Sequence, residues 1–225
     1  RQRQMCIRDR CIITIKGGVI MGKLEANKQQ KLTSLLNTAF NLFTTQGVTK
    51  TSIAEISQKA GIAKGTFYLY FKDKYDIRNR LISHESSKLF KNAVADLEEF
   101  SKEKNEQLGF EEKIIFIINH IVDELNSNQT LLTFISKNLS WGIFKEALTT
   151  KVASDDINFK DVYYEMINAE DISLEEPEIM LFLIVELVSS TCYSAILYKE
   201  PADIDTIKPY LFKTVRAIIK EHTIR

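Results

Sequence analysis

The sequence predicts an all-α protein. Phe, Leu and Ile recur at three- and four-residue spacing along most of the 225-residue chain, which is the pattern of helices that bury one stripe. Three prolines and eight glycines are too few for a loop-rich β fold. A hydrophobic content of 44% and a charged content of 27% are ordinary for a globular protein, and the length suits one large domain or two small ones.

Residues 1–20, RQRQMCIRDRCIITIKGGVI, stand apart. They have no helical period and precede Met21. Lys16, Gly17 and Gly18 back-translate to a purine-rich ribosome-binding sequence a short spacer ahead of the Met21 codon. We expect this segment to be a non-native translated leader. A secretory signal is the competing reading, but the apolar run from Ile12 to Ile15 is short and no small-residue cleavage site follows it. Cys6 and Cys11 fall in this leader. Cys192 is then alone, which rules out an internal disulfide or a cysteine-based zinc site and fits a reducing cytoplasm.

Charge divides the rest of the chain. Its formal total is zero, yet residues 21–80 hold ten basic and four acidic side chains, a net of +6. Residues 81–225 hold 15 basic and 25 acidic ones, a net of −10. A basic module joined to an acidic body is the electrostatic footprint of a nucleic-acid binder.

The first predicted helix covers residues 28–46, where Leu32, Leu35, Leu36, Ala39, Phe40 and Phe43 form one stripe, and Gly47 ends it. Thr51 and Ser52 can each cap a second helix, on which Ile53, Ile56 and Ala60 share a face. Gly61 supplies the turn, because glycine takes a positive φ at little cost. A third helix is predicted over residues 63–70, with Phe67 and Phe71 turned inward and Lys64, Gly65, Thr66, Tyr68 and Tyr70 left outward. Helix, glycine turn and second helix make a helix-turn-helix, whose second helix enters the DNA major groove.

These residues resemble the DNA-binding domain of the TetR/AcrR (tetracycline-repressor) family of bacterial regulators. The family pattern T-[ST]-[IV]-x-x-I-A-x-x-A-G-V-S-x-G-T-x-Y-x-Y-F-x-x-K is carried by Thr51, Ser52, Ile53, Ile56, Ala60, Gly61, Ile62, Gly65, Thr66, Tyr68, Tyr70, Phe71 and Lys74. Ser57 stands where the pattern has a core alanine. Ala63 stands where it has a serine, so the third helix lacks a cap worth about 1 kcal/mol. The motif covers the first quarter of the chain. It places a DNA-binding domain at residues 21–75 and leaves residues 76–225 as the effector-binding and dimerisation domain that the family implies.

The body reads as further helices. One begins near Asp73 and runs through Ile77, Leu81, His84 and Leu89 to Phe100, with His84 read as solvated; in the family this helix links head to body. Residues 101–109 read as a loop. Helices follow at 110–125, 130–139, 141–150 and 156–169. Residues 178–198 are apolar on nearly every side and long enough to span a bilayer. Glu186 within the run, its Ser, Thr and Tyr residues and its acidic flanks argue instead for a helix buried against both its own domain and a partner chain. Pro177 marks its first turn and Pro201 its end. A last helix starts near Thr206 and carries Leu211, Val215, Ile218 and Ile219 on one face. Two such helices resemble the four-helix dimer interface of the family.

No catalytic constellation is present. His84, His120 and His222 lie on different helices without ligands at metal spacing, and no nucleophile-elbow, phosphate-loop or zinc-protease motif occurs. The functional expectation is a sequence-specific DNA-binding regulator without a cofactor, acting in the cytoplasm as a homodimer on a near-palindromic duplex. Lys64, Gly65 and Thr66 face the groove. Tyr68, Tyr70, Lys74, Thr51 and Ser52 serve phosphates, although Tyr70 equally suits the core. The family implies repression relieved by a small apolar or aromatic effector. Phe116, His120, Trp141, Phe144, Tyr163, Tyr164 and Tyr193 are its candidate lining, with Glu186 as a buried counter-charge. The same aromatics also suit a plain core, so an effector-free architectural or partner-recruiting DNA binder is the alternative. A membrane-attached regulator is a third reading.

Overall fold

The computed structural model describes residues 23–105, 107–138, 159–170 and 172–224. Residues 1–20 and the helix expected at 141–150 lie outside them. Three helices build the head: α1 (Lys23–Gln46), α2 (Ile53–Lys59) and α3 (Lys64–Phe67). Leu35, Leu36, Ala39 and Phe43 of α1 are buried against Ile56 of α2 and Phe67 of α3, so the apolar stripes close on one another. Polar groups inside this core are satisfied. Ser34 Oγ donates to the Ala60 carbonyl at 3.1 Å and ties α1 to the end of α2. Ser57, buried, donates to the Ile53 carbonyl at 2.8 Å, which is how a hydroxyl is accommodated at an alanine position.

Chain reversals occur where the backbone is left-handed. Gly47 has φ +84° and follows the last turn of α1, its N–H donating to the Phe43 carbonyl. Gly61, at φ +69°, turns the chain from α2 into α3. Ser52 caps α2 by accepting from the Glu55 N–H at 3.1 Å. Ala63, at the matching position of α3, makes no side-chain cap bond, as its sequence implies. Helix α3 is also shorter than expected. It ends at Phe67, and residues 68–70 continue as turns, with the Leu69 N–H bonded to the Thr66 carbonyl and the Tyr70 N–H to the Phe67 carbonyl.

Helix α4 (Lys74–Lys104) begins directly after the head and crosses into the body. Asp73 caps it, accepting from the N–H groups of Tyr75 and Asp76 at 2.7 and 2.9 Å. It runs four residues past the expected end. Ser101–Lys104 are polar but good helix formers, Lys102 lies beside Glu98 one turn back, and Lys102 and Lys104 favour the negative end of the helix dipole. Asn105, at φ +49°, terminates it in the left-handed conformation that asparagine tolerates. His84, expected in solvent, is buried in a helix that packs against α1, α5 and α6.

The body adds α5 (Phe110–Ser127), α6 (Gln129–Asn138), α7 (Phe159–Asn168), α8 (Pro177–Leu197) and α9 (Ile204–His222). Helix α5 lies along α4, while α8 and α9 pack as a pair over α5 and α6. Pro177 occupies the first turn of α8. Asp203 caps α9 two residues earlier than the sequence suggested, accepting from Thr206 N–H at 2.9 Å. Cross-links join the layers: Lys113 to Glu170 at 2.6 Å, Arg216 to Glu111, and Lys208 to Asp123. Tyr163, in α7, donates its hydroxyl to the Pro177 carbonyl at 3.0 Å, fixing the entry to α8; burial raises its pKa and keeps it neutral. Among the described residues β pairing is limited to one isolated bridge, Leu174 with Thr223.

The uncapped start of α3 gives a direct test. Ala63→Ser should restore an N-cap and raise the unfolding free energy by about 1 kcal/mol. A denaturant titration reads it as a higher midpoint with an unchanged slope, and a lower midpoint would show that the α3 entry is already satisfied.

Candidate functional site

Two sites emerge, one on the head and one inside the body. The head site is defined by which side chains remain outward after the fold is satisfied. Lys64, Gly65, Tyr68 and Ser52 are exposed, and Thr66 is half-buried. An added Cβ on Gly65 would meet nothing within 4 Å, so the space above this backbone is open to a molecule from outside. A cation, a bare backbone and a hydroxyl follow one another at the start of α3. That set can approach base edges and accept or donate hydrogen bonds there.

Three of the expected phosphate ligands are engaged elsewhere. Thr51 is 1% exposed. Its hydroxyl donates to the Gly47 carbonyl at 2.8 Å and accepts from the Gln46 amide at 3.3 Å, so it holds the turn before α2 and presents nothing to DNA. Lys74 Nζ donates to the carbonyls of Thr49 and Thr51 at 2.8 and 3.2 Å. Its ammonium closes that same turn from the α4 side. Tyr70 is half-buried against the core and its hydroxyl reaches the Lys28 carbonyl at 3.4 Å, the core alternative. Ser52 keeps an exposed hydroxyl while its oxygen caps α2. Around the turn, the Gln46 amide and then Lys59 hold the Glu55 carboxyl below its usual range.

One exposed apolar residue lies outside the expected set. Leu69 is 82% exposed beside Tyr68 at 52%, and both sit on the turn that extends α3. A leucine displayed this openly next to Lys64, Gly65 and Thr66 is of a type that can make apolar contact with a thymine methyl. The signal was available in the sequence: once Phe67 and Phe71 define the inward face, position 69 must point away.

The body site is a cavity of about 160 Å³ lined by α4, α5, α6, α7 and α8. Its wall is hydrocarbon: Phe90 from α4, Ile117 and Ile118 from α5, Leu132 from α6, Phe159 from α7 and Ile184 from α8 are representative. The polar residues that touch it are Ser86, Ser87, Ser136 and Ser189. Of the expected lining, Tyr163 is present, with its hydroxyl turned away to Pro177. The others are elsewhere. Phe116 and His120 sit in a separate cleft on the outer side of α5, where Phe116 packs on Phe100 and His120 lies 3.0 Å from Asp96 and 3.4 Å from Glu124. Tyr164 packs edge-on against Tyr163 outside the cavity. Tyr193 shares a 3.0 Å hydrogen bond with Tyr198 on α8. Glu186 is exposed and is no buried counter-charge. Trp141 and Phe144 fall outside the described residues. The reason is the period of α5: Ile114, Ile117, Ile118 and Ile121 line the cavity at helical spacing, which turns residues 116 and 120 to the other side. Cys192 is buried, and burial pushes its thiol up to about 12, so it packs as a small hydrophobe.

Comparison with known proteins bears on both sites. Residues 35–81 match the family model "Bacterial regulatory proteins, tetR family". Over these residues the head is similar to the tetR-family DNA-binding domain. The HTH-type transcriptional regulator AcrR of Shigella flexneri is 40% identical over 55 residues, which is 24% of this chain and 26% of that protein. The fatty acid metabolism regulator protein of Bacillus subtilis (strain 168) is 31% identical over 93 residues, 41% of this chain and 44% of that protein. The matched stretches thus span less than half the length of these curated relatives. The whole fold is shared more widely. A tetR-family regulator from Shewanella sp. PV-4 superposes with a TM-score of 0.61 at 15% identity, over 87% of this chain and 99% of that one. The transcriptional regulator FadR from Bacillus subtilis, solved in complex with stearoyl-CoA, gives 0.57 at 18% identity over 83% and 98%.

The two lysines of the head separate by geometry. Lys74→Ala removes a donor from two carbonyls and should lower stability by about 1–3 kcal/mol, since a charged hydrogen bond is lost at a turn. Lys64→Ala should leave the melting temperature unchanged. Thermal unfolding of both variants decides it; equal midpoints would show that the Lys74 ammonium contributes nothing to holding the turn.

Proposed function

We propose that this protein is a sequence-specific DNA-binding transcription regulator, a repressor released when a hydrocarbon-bearing molecule enters the body cavity. The observation that carries the reading is the conjunction of a groove-facing Lys64–Gly65–Thr66 edge on the basic head with an aliphatic cavity walled by the same α4 that leaves that head. The tetR-family head supports DNA binding. The wall of Ile, Leu, Val, Phe and Met side chains matches an apolar ligand. The stearoyl-CoA complex of the Bacillus subtilis FadR, a protein of the same fold, favours the acyl chain among apolar ligands. No group of three or more metal-capable side chains occurs among the described residues, and nothing in the sites described supplies a nucleophile with its base. We read the protein as a regulator without an activity of its own, working in the cytoplasm.

The reading includes a homodimer. Helix α8 is apolar and long enough to cross a membrane, yet 39% of its most hydrophobic window is buried inside the chain and it pairs with α9. Ile179 and Leu183 on α8 remain exposed. A second copy seated on this face would cover both. Leu183→Arg would then bury an unpaired charge and should yield monomers by analytical ultracentrifugation. A wild type that sediments as a monomer at micromolar concentration would overturn the dimer.

Operator binding and release are tested together. A duplex selected in vitro should be a near-palindrome with half-sites about one helical turn apart, or a multiple of it. Palmitoyl-CoA should weaken its binding by about 5–150-fold, the usual span of coupling between two sites. Val188→Phe, which fills the cavity from α8, should keep operator affinity and lose the response. Release of both proteins alike would move the ligand to another site; a wild type indifferent to palmitoyl-CoA and palmitate, with its DNA affinity intact, would favour the effector-free reading.

A further inference from the structure

Helix α6 has two faces with different duties. Leu132, Ile135 and Ser136 line the cavity. Phe134 lies about 160° around the helix from Leu132 and Ser136. It is buried, and its ring meets two rings of α1: Phe40 edge-on at 5.5 Å and Phe43 stacked at 6.5 Å. Phe43 and its neighbours Leu35, Leu36 and Ala39 in turn hold Ile56 and Phe67, the inner faces of the two DNA-reading helices. A continuous packed path therefore runs from the cavity wall, through one aromatic side chain, to the core of the head.

We infer that Phe134 is the positioning residue that transmits cavity occupancy to the head, by pressing α1 through Phe40 and Phe43. This rests on the effector reading above. A packed aromatic cluster is stiff, because interiors are close-packed and yield little volume. When a chain of methylenes enters the cavity, Leu132 and Ile135 must give way. Helix α6 moves as a unit, since Asn128 caps it by accepting from the Leu131 N–H at 3.0 Å and the α5–α6 joint is short. Displacement of Phe134 then shifts α1, and the head follows because its core is one cluster. A smaller, branched side chain at 134 would still seal the joint against water but would not carry both ring contacts.

The test measures three constants for wild type, Phe134→Leu and Phe40→Leu: affinity for the selected operator duplex, affinity for palmitoyl-CoA without DNA, and operator affinity with palmitoyl-CoA saturating. Each single variant should keep the first two within about three-fold and lose at least ten-fold of the ligand-induced weakening. The double variant should lose no more than either single one, because the two side chains act through one contact. Thermal melts of the same samples check that the variants fold; a Phe134→Leu that melts early is replaced by Phe134→Met, held to the same outcome. Variants that release DNA as the wild type does would overturn the inference alone. A wild type whose operator affinity ignores the ligand would overturn both the inference and the effector reading.

Discussion

Everything in this molecule is constrained by the continuity of α4. It is 31 residues long, about 46 Å at 1.5 Å per residue, and it belongs to both halves. Its first turn is fixed to the head by Asp73, which caps it, and by Asp76, whose carboxylate accepts from the Lys72 N–H at 2.8 Å and pairs with Arg80. Buried Ile77, Leu81 and Ile82 bind it to the head core; Leu89, Phe90 and Ala93 bind it to the body. An unbroken helix resists bending in its middle, so neither half can change its tilt without the other sensing it. The contact of α6 on α1 gives a second attachment, and two attachments define an axis where one would define only a tether.

The cavity is the complementary feature. Close packing is the normal state of a core, and a void between aliphatic walls forgoes contacts that a filled core would make. Five helices converge here with large side chains, so the space does not come from a shortage of bulk. Tyr163 borders it with its hydroxyl held at the Pro177 carbonyl, away from the space.

How much of this was legible in the sequence depends on the range of the interactions. The all-α class, the helix-turn-helix, the glycine turns at 47 and 61, the missing cap at 63 and the apolar α8 follow from local chemistry, and each appears where its residues put it. The lining of the cavity did not follow. Aromatic residues suit such a lining by type, whereas aliphatic residues of α5 and α8 form most of the wall, and which face of α5 turns inward is decided by α4 and α9 on either side of it. The same limit applied on the head. Thr51 and Lys74 match a DNA-binding pattern by type, but their hydrogen bonds go to Gly47, Thr49 and Thr51, partners that only the folded turn brings within reach. His84 is buried by tertiary packing of other helices on α4, which a reading of its own helix does not contain.

Gly61 and Gly65 are four residues apart and their constraints come from opposite sides. At Gly61 the backbone sits at φ +69°, which any side chain would strain. At Gly65 the φ is ordinary and an added methyl would touch nothing of the protein. The chain itself therefore imposes no requirement at position 65; under the proposed function, the demand for a bare backbone there comes from the DNA. In a genetic screen for lost regulation, changes at 61 would be recovered as scarce protein, cleared as it unfolds. Changes at 65 would be recovered as abundant, soluble and inert protein.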